Sequence, residues 1–327
     1  MPPSPQGHAL GFPAAGYVLL LAGFWLLARH FSLDAQIGHM PSTFTAFALL
    51  FAPFWFLGFG AGETLRSLLL MPTLRVAAPA LLVLPYLIYA WPRHEIQGVF
   101  VAVFLAIPVG SAVLLEFVPP ATQKLSWQDA VILTVSGLPI ELRWLRGSFP
   151  HSGLDSLSKL LLVDSLLYAY LVVRRLEGVG YDFRPRIRDG LIGLRELMLF
   201  APIVISLGIA LRFLRPHGGW PSSATAASDL MVTFFFVAIP EELFFRGLLQ
   251  NLLEARVGHP GSLWLTAAIF GLSHFNKPQP FNWRYVLLAT IAGVFYGRAW
   301  RDRRRLLASA TTHTLVDVIW SLWFRAG

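Results

Sequence analysis

Ionisable side chains stand at helical spacing inside three long apolar segments near the end of this 327-residue chain. In chain order they are Glu241, Glu242, Arg246, His274, His313 and Asp317. A charge at the centre of a bilayer costs at least about 2.5–3.5 kcal/mol on insertion scales, so ionisable residues inside a span indicate a functional site. Glutamate and histidine commonly transfer protons in catalysis, and this set therefore indicates acid–base chemistry in apolar surroundings.

The two adjacent glutamates are predicted to have different roles. Glu242 and Arg246 are four residues apart and share a helix face, with the acid on the favourable N-terminal side of the pair. Glu241 lies about 100° further round the helix and cannot share that arginine equally. We therefore predict that Glu241 is a desolvated carboxylate without a close cation and acts as the base, supported by the Glu242–Arg246 pair. The alternative is that both acids are ion-paired and only steady a helix bundle.

The last apolar segment carries a polar stripe. His313 and Asp317 are four residues apart, and Ser309 and Ser321 continue the same helix face. A stripe of this kind in a membrane helix faces a cavity or the interior of a bundle rather than lipid. A lone histidine in a membrane is more often a packing residue, but the second histidine, His274, and the acidic pair favour a shared site.

The composition indicates that these residues belong to a membrane protein. Hydrophobic residues make up 55% of the chain and charged residues 13%, with a mean hydropathy of +0.60, whereas a soluble globular chain carries about 25% charged residues. A helical span needs about 20 mostly apolar residues, and ten segments approach that length. They are Leu10–Ala28, Thr43–Gly62, Val76–Trp91, Gln97–Leu115, Leu157–Val173, Glu196–Leu214, Asp229–Leu252, Gly261–Phe275, Arg284–Trp300 and Leu306–Phe324. We predict an all-α, polytopic transmembrane helix bundle of about 8–10 spans.

The net charge of +8 does not indicate a nucleic-acid partner, because the arginines concentrate in two short loops, 174–188 and 301–305. Loops rich in lysine and arginine mark the cytoplasmic side of a membrane protein. Four predicted spans separate the two loops, so both can lie on that side. The chain has no cysteine, which excludes disulfides, thiolate metal sites and a cysteine nucleophile.

The chain divides into two predicted regions. Residues 1–195 form an N-terminal transmembrane region of unknown role, in which Glu116 and Asp164 are isolated acids that we interpret as structural. Residues 196–327 form the core that carries the chemistry.

Three short motifs occur in order on separate predicted spans of this core. They are Glu-Glu-x-x-x-Arg at 241–246, Phe-x-x-x-His at Phe270–His274 and His-x-x-x-Asp at His313–Asp317. Together they resemble the CPBP family of intramembrane proteases, which includes the CAAX prenyl endopeptidases and the bacterial Abi proteins. The resemblance covers Glu196–Phe324, about 40% of the chain. The third motif often ends in asparagine, whereas Asp317 is an acid and donates a hydrogen bond only when it is protonated.

The resemblance implies an intramembrane endopeptidase that hydrolyses a peptide bond of a membrane-associated protein or a lipidated peptide. Glu241, helped by His274, would activate a water for attack on the peptide carbonyl. His313, together with Asp317, would stabilise the developing oxyanion. The supporting residues would be Glu242, Arg246 and Phe270.

The resemblance leaves the cofactor and the function class open. The enzyme would use either no cofactor or a divalent metal such as zinc, for which Glu241, His274, His313 and Asp317 are competent ligands. The alternative function is a non-catalytic membrane immunity or scaffold protein, or a proton-linked transporter. The lipid bilayer is the expected environment, and the excess of arginine over lysine favours a bacterial inner (plasma) membrane.

Overall fold

A computed structural model describes residues 11–151, 153–277 and 281–326 of the chain. Within these residues the protein is a bundle of helices with a single pair of short strands. The predicted fold class, an all-α membrane bundle, is confirmed.

The first part of the chain forms nine α-helices within the described residues. These are α1 (Gly11–His30), α2 (Leu33–Ile37), α3 (Met40–Leu57), α4 (Ala61–Leu68), α5 (Pro72–Ala77), α6 (Leu84–Ala90), α7 (Gly98–Phe117), α8 (Trp127–Glu141) and α9 (Asp155–Leu167). Two 3₁₀ turns, Ala78–Val83 and Trp91–Arg93, flank α6, and a π-helical segment, Tyr168–Val173, continues α9.

The second part carries the predicted motifs. Its elements are α10 (Ile187–Ala210), β1 (Leu214–Pro216), α11 (Ser223–Val232), α12 (Ile239–Glu242), α13 (Asn251–Leu272), α14 (Trp283–Arg303), α15 (Leu306–Trp323) and β2 (Phe324–Ala326). Two π-helical segments, Thr233–Ala238 and Leu243–Gln250, join α11, α12 and α13 into one bent rod. The strands β1 and β2 pair antiparallel.

Seven helical segments of the described chain are long and apolar enough to cross a membrane, against eight to ten predicted. The predicted span Asp229–Leu252 and all but the last three residues of Gly261–Phe275 fall in one segment of 50 residues, Ser223–Leu272, which bends at Gly258. The last two predicted spans form α14 and α15 but are not among the seven. Charges near the ends of α14 and the polar stripe on α15 lower their average apolarity.

The N-terminal region and the C-terminal core share one hydrophobic interior. Phe51 and Phe54 of α3 belong to the same buried cluster as Phe235, Ile239 and Trp300. The predicted boundary between residues 195 and 196 falls inside α10, which runs without interruption through it. The two regions therefore pack as one body.

Both basic loops lie at the same end of the bundle, as the charge pattern predicts. Arg305 Nη1 donates to Asp182 Oδ2 over 2.5 Å, and Arg305 Nε lies 2.9 Å from Asp189 Oδ2. The backbone N–H of Leu306 donates to the carbonyl of Gly180. These contacts fix the start of α15, the helix that carries His313, against the loop before α10.

Small residues let α13 and α14 approach closely. A Cβ placed on Gly271 would lie 1.9 Å from Thr290 Oγ1, and a Cβ on Gly293 would lie 2.9 Å from Ala267 Cα. Glycine at such contacts allows two membrane helices to pack backbone against backbone. The close packing brings the end of α13, with His274 just beyond it, beside the first turns of α14.

Candidate active site

The acidic pair lies in α12, the four-residue stretch between the two π-helical segments. Pro240 precedes the pair, so one backbone donor is missing from the helix at this point. Widened π turns inside helices are frequent at functional sites. Here the irregular rod directs Glu241 and Glu242 to different surroundings.

Glu242 is fully buried and is held by three donors. Arg246 Nη1 lies 3.0 Å from Glu242 Oε1, which confirms the predicted pair, and both side chains are inaccessible to solvent. His313 Nδ1 lies 2.8 Å from the same oxygen. The hydroxyl of Ser309 donates to the other oxygen, Oε2. The part of the polar stripe that contains Ser309 and His313 therefore faces the bundle interior.

Arg246 is itself held on several sides. Its Nη2 donates to the carbonyl of Gly293 over 3.1 Å. The guanidinium lies 4.5 Å from the centre of the Phe270 ring, within the range of a cation–π contact. Phe270, the first residue of the second motif, thus covers the buried charge.

His313 lies among three carboxylates. Because a carboxylate only accepts hydrogen bonds, the contact with Glu242 places a proton on Nδ1. Nε2 faces the other two acids, 3.4 Å from Asp317 Oδ2 and 3.9 Å from Glu241 Oε2. The ring stacks on Tyr296, with centroids 4.5 Å apart and planes inclined by 17°. The imidazole is therefore fixed in orientation, with Nε2 between Glu241 and Asp317.

Glu241 does have a close cation, and the sequence-based prediction that it lacks one is wrong. Lys159 Nζ of α9 lies 3.0 Å from Glu241 Oε1. The lysine comes from the N-terminal region, 82 residues away along the chain. The second oxygen, Oε2, is the one nearer to His313. Lys159 thus holds one carboxylate oxygen and leaves the other directed towards the imidazole.

His274 is oriented by the turn that ends α13. Its Nδ1 lies 2.8 Å from the carbonyl oxygen of Phe270. A carbonyl oxygen only accepts, so Nδ1 carries the proton and Nε2 of the neutral ring is an acceptor. The ring packs against Tyr285 with centroids 4.6 Å apart. His274 therefore presents a base nitrogen on a ring whose other side is fixed.

One cavity of about 200 Å³ gathers the predicted catalytic residues. Its polar wall is formed by Glu241, His274, His313 and Asp317, and Tyr285 and Lys277 also reach it. Phe270 lines the cavity too, whereas Glu242 and Arg246 lie behind the wall. The three motifs, on three different stretches of chain, thus converge on one space inside the bundle.

A second cavity, of about 410 Å³, lies on the other side of Glu241. It is mostly apolar, and Glu241 and Lys277 line both cavities. Its charged residues also include Lys159 and Glu141, and Glu141 Oε2 lies 3.1 Å from Lys277 Nζ. Burial raises the pKa of the Glu141 carboxyl, an effect that Lys277 opposes. Glu241 thus lies at the junction of the two cavities.

The four candidate metal ligands share the first cavity but do not form a metal site. Among the described residues, no group of three His, Asp or Glu side chains is arranged to hold a metal ion. Nδ1 of each histidine is engaged, one with a carbonyl and one with Glu242, so only the Nε2 nitrogens could bind a metal. The ammonium of Lys159, 3.0 Å from Glu241, would also repel a dication.

Sequence reasoning missed the residues that contact the site from other helices. Lys159 and the contact of Ser309 with Glu242 depend on helix packing, which no local spacing reveals. Tyr285 and Tyr296 pack against the two histidines, and nothing in their neighbourhood along the chain distinguishes them from other membrane tyrosines.

Comparison with known proteins agrees with the motif resemblance. Residues 223–319 match the family model described as type II CAAX prenyl endopeptidase Rce1-like. No curated protein and no solved structure matches the chain. The match begins with α11, ends within α15 and includes all three motifs. Over residues 223–319 this membrane protein is therefore similar to Rce1-like type II CAAX prenyl endopeptidases, which is consistent with the resemblance to the CPBP family.

Proposed function

We propose that this protein is an intramembrane endopeptidase that hydrolyses a peptide bond of a membrane-associated protein or lipidated peptide. The observation that carries the proposal is the convergence of Glu241, His274, His313 and Asp317 on one cavity. Peptide hydrolysis by an activated water needs a base and a donor for the oxyanion. The cavity offers a carboxylate and an imidazole nitrogen as bases and a second imidazole as the donor.

Glu241 and His274 are the proposed water-activating residues. Lys159 fixes Glu241 through Oε1, so that Oε2 can accept a hydrogen bond from a water in the cavity. Nε2 of His274 is the second acceptor. As the water attacks the peptide carbonyl carbon, its proton passes to this base pair and then to the leaving amine.

His313 is the proposed oxyanion donor. With Nδ1 held by Glu242, a doubly protonated ring offers Nε2–H to the oxygen that gains negative charge. Asp317, 3.4 Å away, accepts from the same nitrogen in the resting state and supports the positive ring. The buried Glu242–Arg246 pair and the stacked Tyr296 keep the imidazole from turning.

The two cavities provide a place for the substrate on either side of Glu241. The scissile bond lies in the smaller cavity beside the catalytic groups, and the adjoining residues or an attached apolar chain extend into the larger one. The apolar walls of both suit a peptide presented from the lipid phase. The Arg-rich composition favours a bacterial inner membrane as the location.

The experiment that tests the proposal does not require a known substrate. Purified wild-type protein and Glu241→Gln are reconstituted in liposomes with a solubilised bacterial membrane proteome, and new peptide N-termini are identified by mass spectrometry. We expect termini that appear with the wild type and are lost with Glu241→Gln. The rate on each identified peptide should fall by about 10²–10⁴-fold, the usual contribution of a general base.

The matched control is Glu116→Gln. Glu116 is also an ion-paired and largely buried glutamate, held by Arg75, but it lines neither cavity. The Glu116→Gln variant should cleave the same peptides as the wild type. Identical sets of termini from wild type and Glu241→Gln would refute the protease assignment. If Glu241→Gln also retained its biological activity, a non-catalytic immunity or scaffold role would be favoured.

A further inference from the structure

A cluster of arginines lies at the end of the bundle that carries the two basic loops. Arg188 and Arg195 belong to the first turns of α10, and Arg303 to the last turn of α14. Together with Asp302 they line a cavity of about 260 Å³, and the three arginines are exposed. None of these residues lines either cavity of the candidate active site.

Two acids neutralise only part of this cluster. Arg195 Nη2 lies 2.7 Å from Glu196 Oε1 and 2.9 Å from Asp302 Oδ2. Arg298 Nε lies 3.2 Å from the other oxygen of Glu196. The two carboxylates are thus already engaged by these two arginines.

The remaining two arginines are largely uncompensated. Arg303 Nε lies 3.7 Å from Asp302 Oδ1, a long contact with an acid that Arg195 already holds. Arg188 lines the cavity without an ion pair or hydrogen bond to any described residue. The cluster therefore carries two positive charges in excess, on guanidinium groups whose planar donors suit a phosphate.

An exposed apolar face begins beside the cavity and runs along α10. Ile187, Leu191, Leu194 and Met198 follow one another at three- or four-residue spacing, and between 48% and 81% of each is exposed. Leu191 also lines the cavity. In a membrane protein such a face contacts lipid chains, so cationic groups and a lipid-facing surface are contiguous here.

We propose that this cavity binds the phosphate of an anionic phospholipid, whose acyl chains lie along the exposed face of α10. The excess positive charge selects an anion, and the adjoining apolar face selects one that carries hydrocarbon chains. The positions of the basic loops place the cavity on the predicted cytoplasmic side, where basic pockets between membrane helices bind anionic headgroups. The site is independent of the proteolytic activity proposed above.

The test measures lipid binding directly. Protein in dodecylmaltoside micelles is titrated with dioleoyl phosphatidylglycerol, and bound lipid is counted by native mass spectrometry. We expect saturable binding of phosphatidylglycerol that weakens with added salt, and weak binding of dioleoyl phosphatidylcholine, which has the same chains. The double variant Arg188→Gln/Arg303→Gln should raise the half-saturating concentration by about 30-fold.

The matched control is Arg212→Gln/Arg215→Gln, which removes two exposed arginines beyond the other end of α10. It should bind phosphatidylglycerol as the wild type does. Equal binding by wild type and the Arg188/Arg303 variant would overturn the proposal, as would equal loss in the control. Arginine-dependent binding of inorganic phosphate at the same concentration as the lipid would also overturn it, because the acyl chains would then contribute nothing.

Discussion

The buried Glu242–Arg246 pair makes a quantitative prediction about stability. Neither side chain is accessible to solvent, and removing one partner leaves the other charge buried without compensation. Breaking a buried pair in this way costs about 3–5 kcal/mol. For Arg246→Met we expect a loss near the lower limit, about 3 kcal/mol, because Ser309 and His313 still donate to Glu242. Glu242→Gln should cost a similar amount.

The double variant Glu242→Gln/Arg246→Met should lose much less than the sum of the two single losses. Neither buried charge remains in it, so the coupling between the sites should be at least about 2 kcal/mol. The assay is equilibrium unfolding in mixed micelles with a rising fraction of sodium dodecyl sulfate, followed by helical circular dichroism. Losses that add to within about 0.5 kcal/mol would refute the reasoning.

An exposed pair provides the matched cycle. Glu63 and Arg175 lie 3.4 Å apart, with 72% and 60% of their side chains exposed. The corresponding variants, Glu63→Gln and Arg175→Met, should each cost less than about 1 kcal/mol and couple weakly. A coupling as large as that of the buried pair would mean that burial is not the source of the effect.

Four further predictions concern catalysis, measured as the rate of cleavage of an identified peptide. Lys159→Met should lower this rate by about 10–100-fold because Glu241 loses the cation that orients it. The control Lys124→Met, at an exposed lysine, should leave the rate unchanged. Equal rates for Lys159→Met and the wild type would show that Lys159 has no role in the site. His274→Gln should lower the rate by about 10²–10⁴-fold, and near-wild-type turnover would contradict its role as a base. Asp317→Asn should keep the rate within about 10-fold of the wild type, because the amide can still hydrogen-bond to the ring, whereas Asp317→Leu should lose more. Incubation with a chelator should leave the rate unchanged, and a loss restored by zinc would show that a bound metal organises the donors differently.

Local spacing predicted the parts of the site that lie on single helices. Four-residue separations gave the Glu242–Arg246 pair, found at 3.0 Å, and the His313–Asp317 pair, found at 3.4 Å. Both follow from helix geometry alone, because side chains four apart share a face. Apolar run length likewise predicted the membrane bundle.

Contacts between helices could not be predicted in the same way. The partner of Glu241 is 82 residues away and that of Glu242, His313, is 71 residues away. Helical periodicity indicates that a face is buried but not which helix covers it. The same limit affects the number of spans. The polar side chains of α15 contact other helices inside the bundle, but average hydropathy treats them as if they faced water.

The ion pair between Lys159 and Glu241 joins the N-terminal region to the stretch that matches the family model. A recombinant fragment limited to residues 223–319 would lack Lys159, whose ammonium group pairs with Glu241. It would also expose the aromatic surface that Phe51 and Phe54 cover in the whole protein. The matched stretch is therefore not a self-sufficient module. Dissecting this protein requires splitting it into complementary pieces that are expressed together, not trimming it to its most recognisable part.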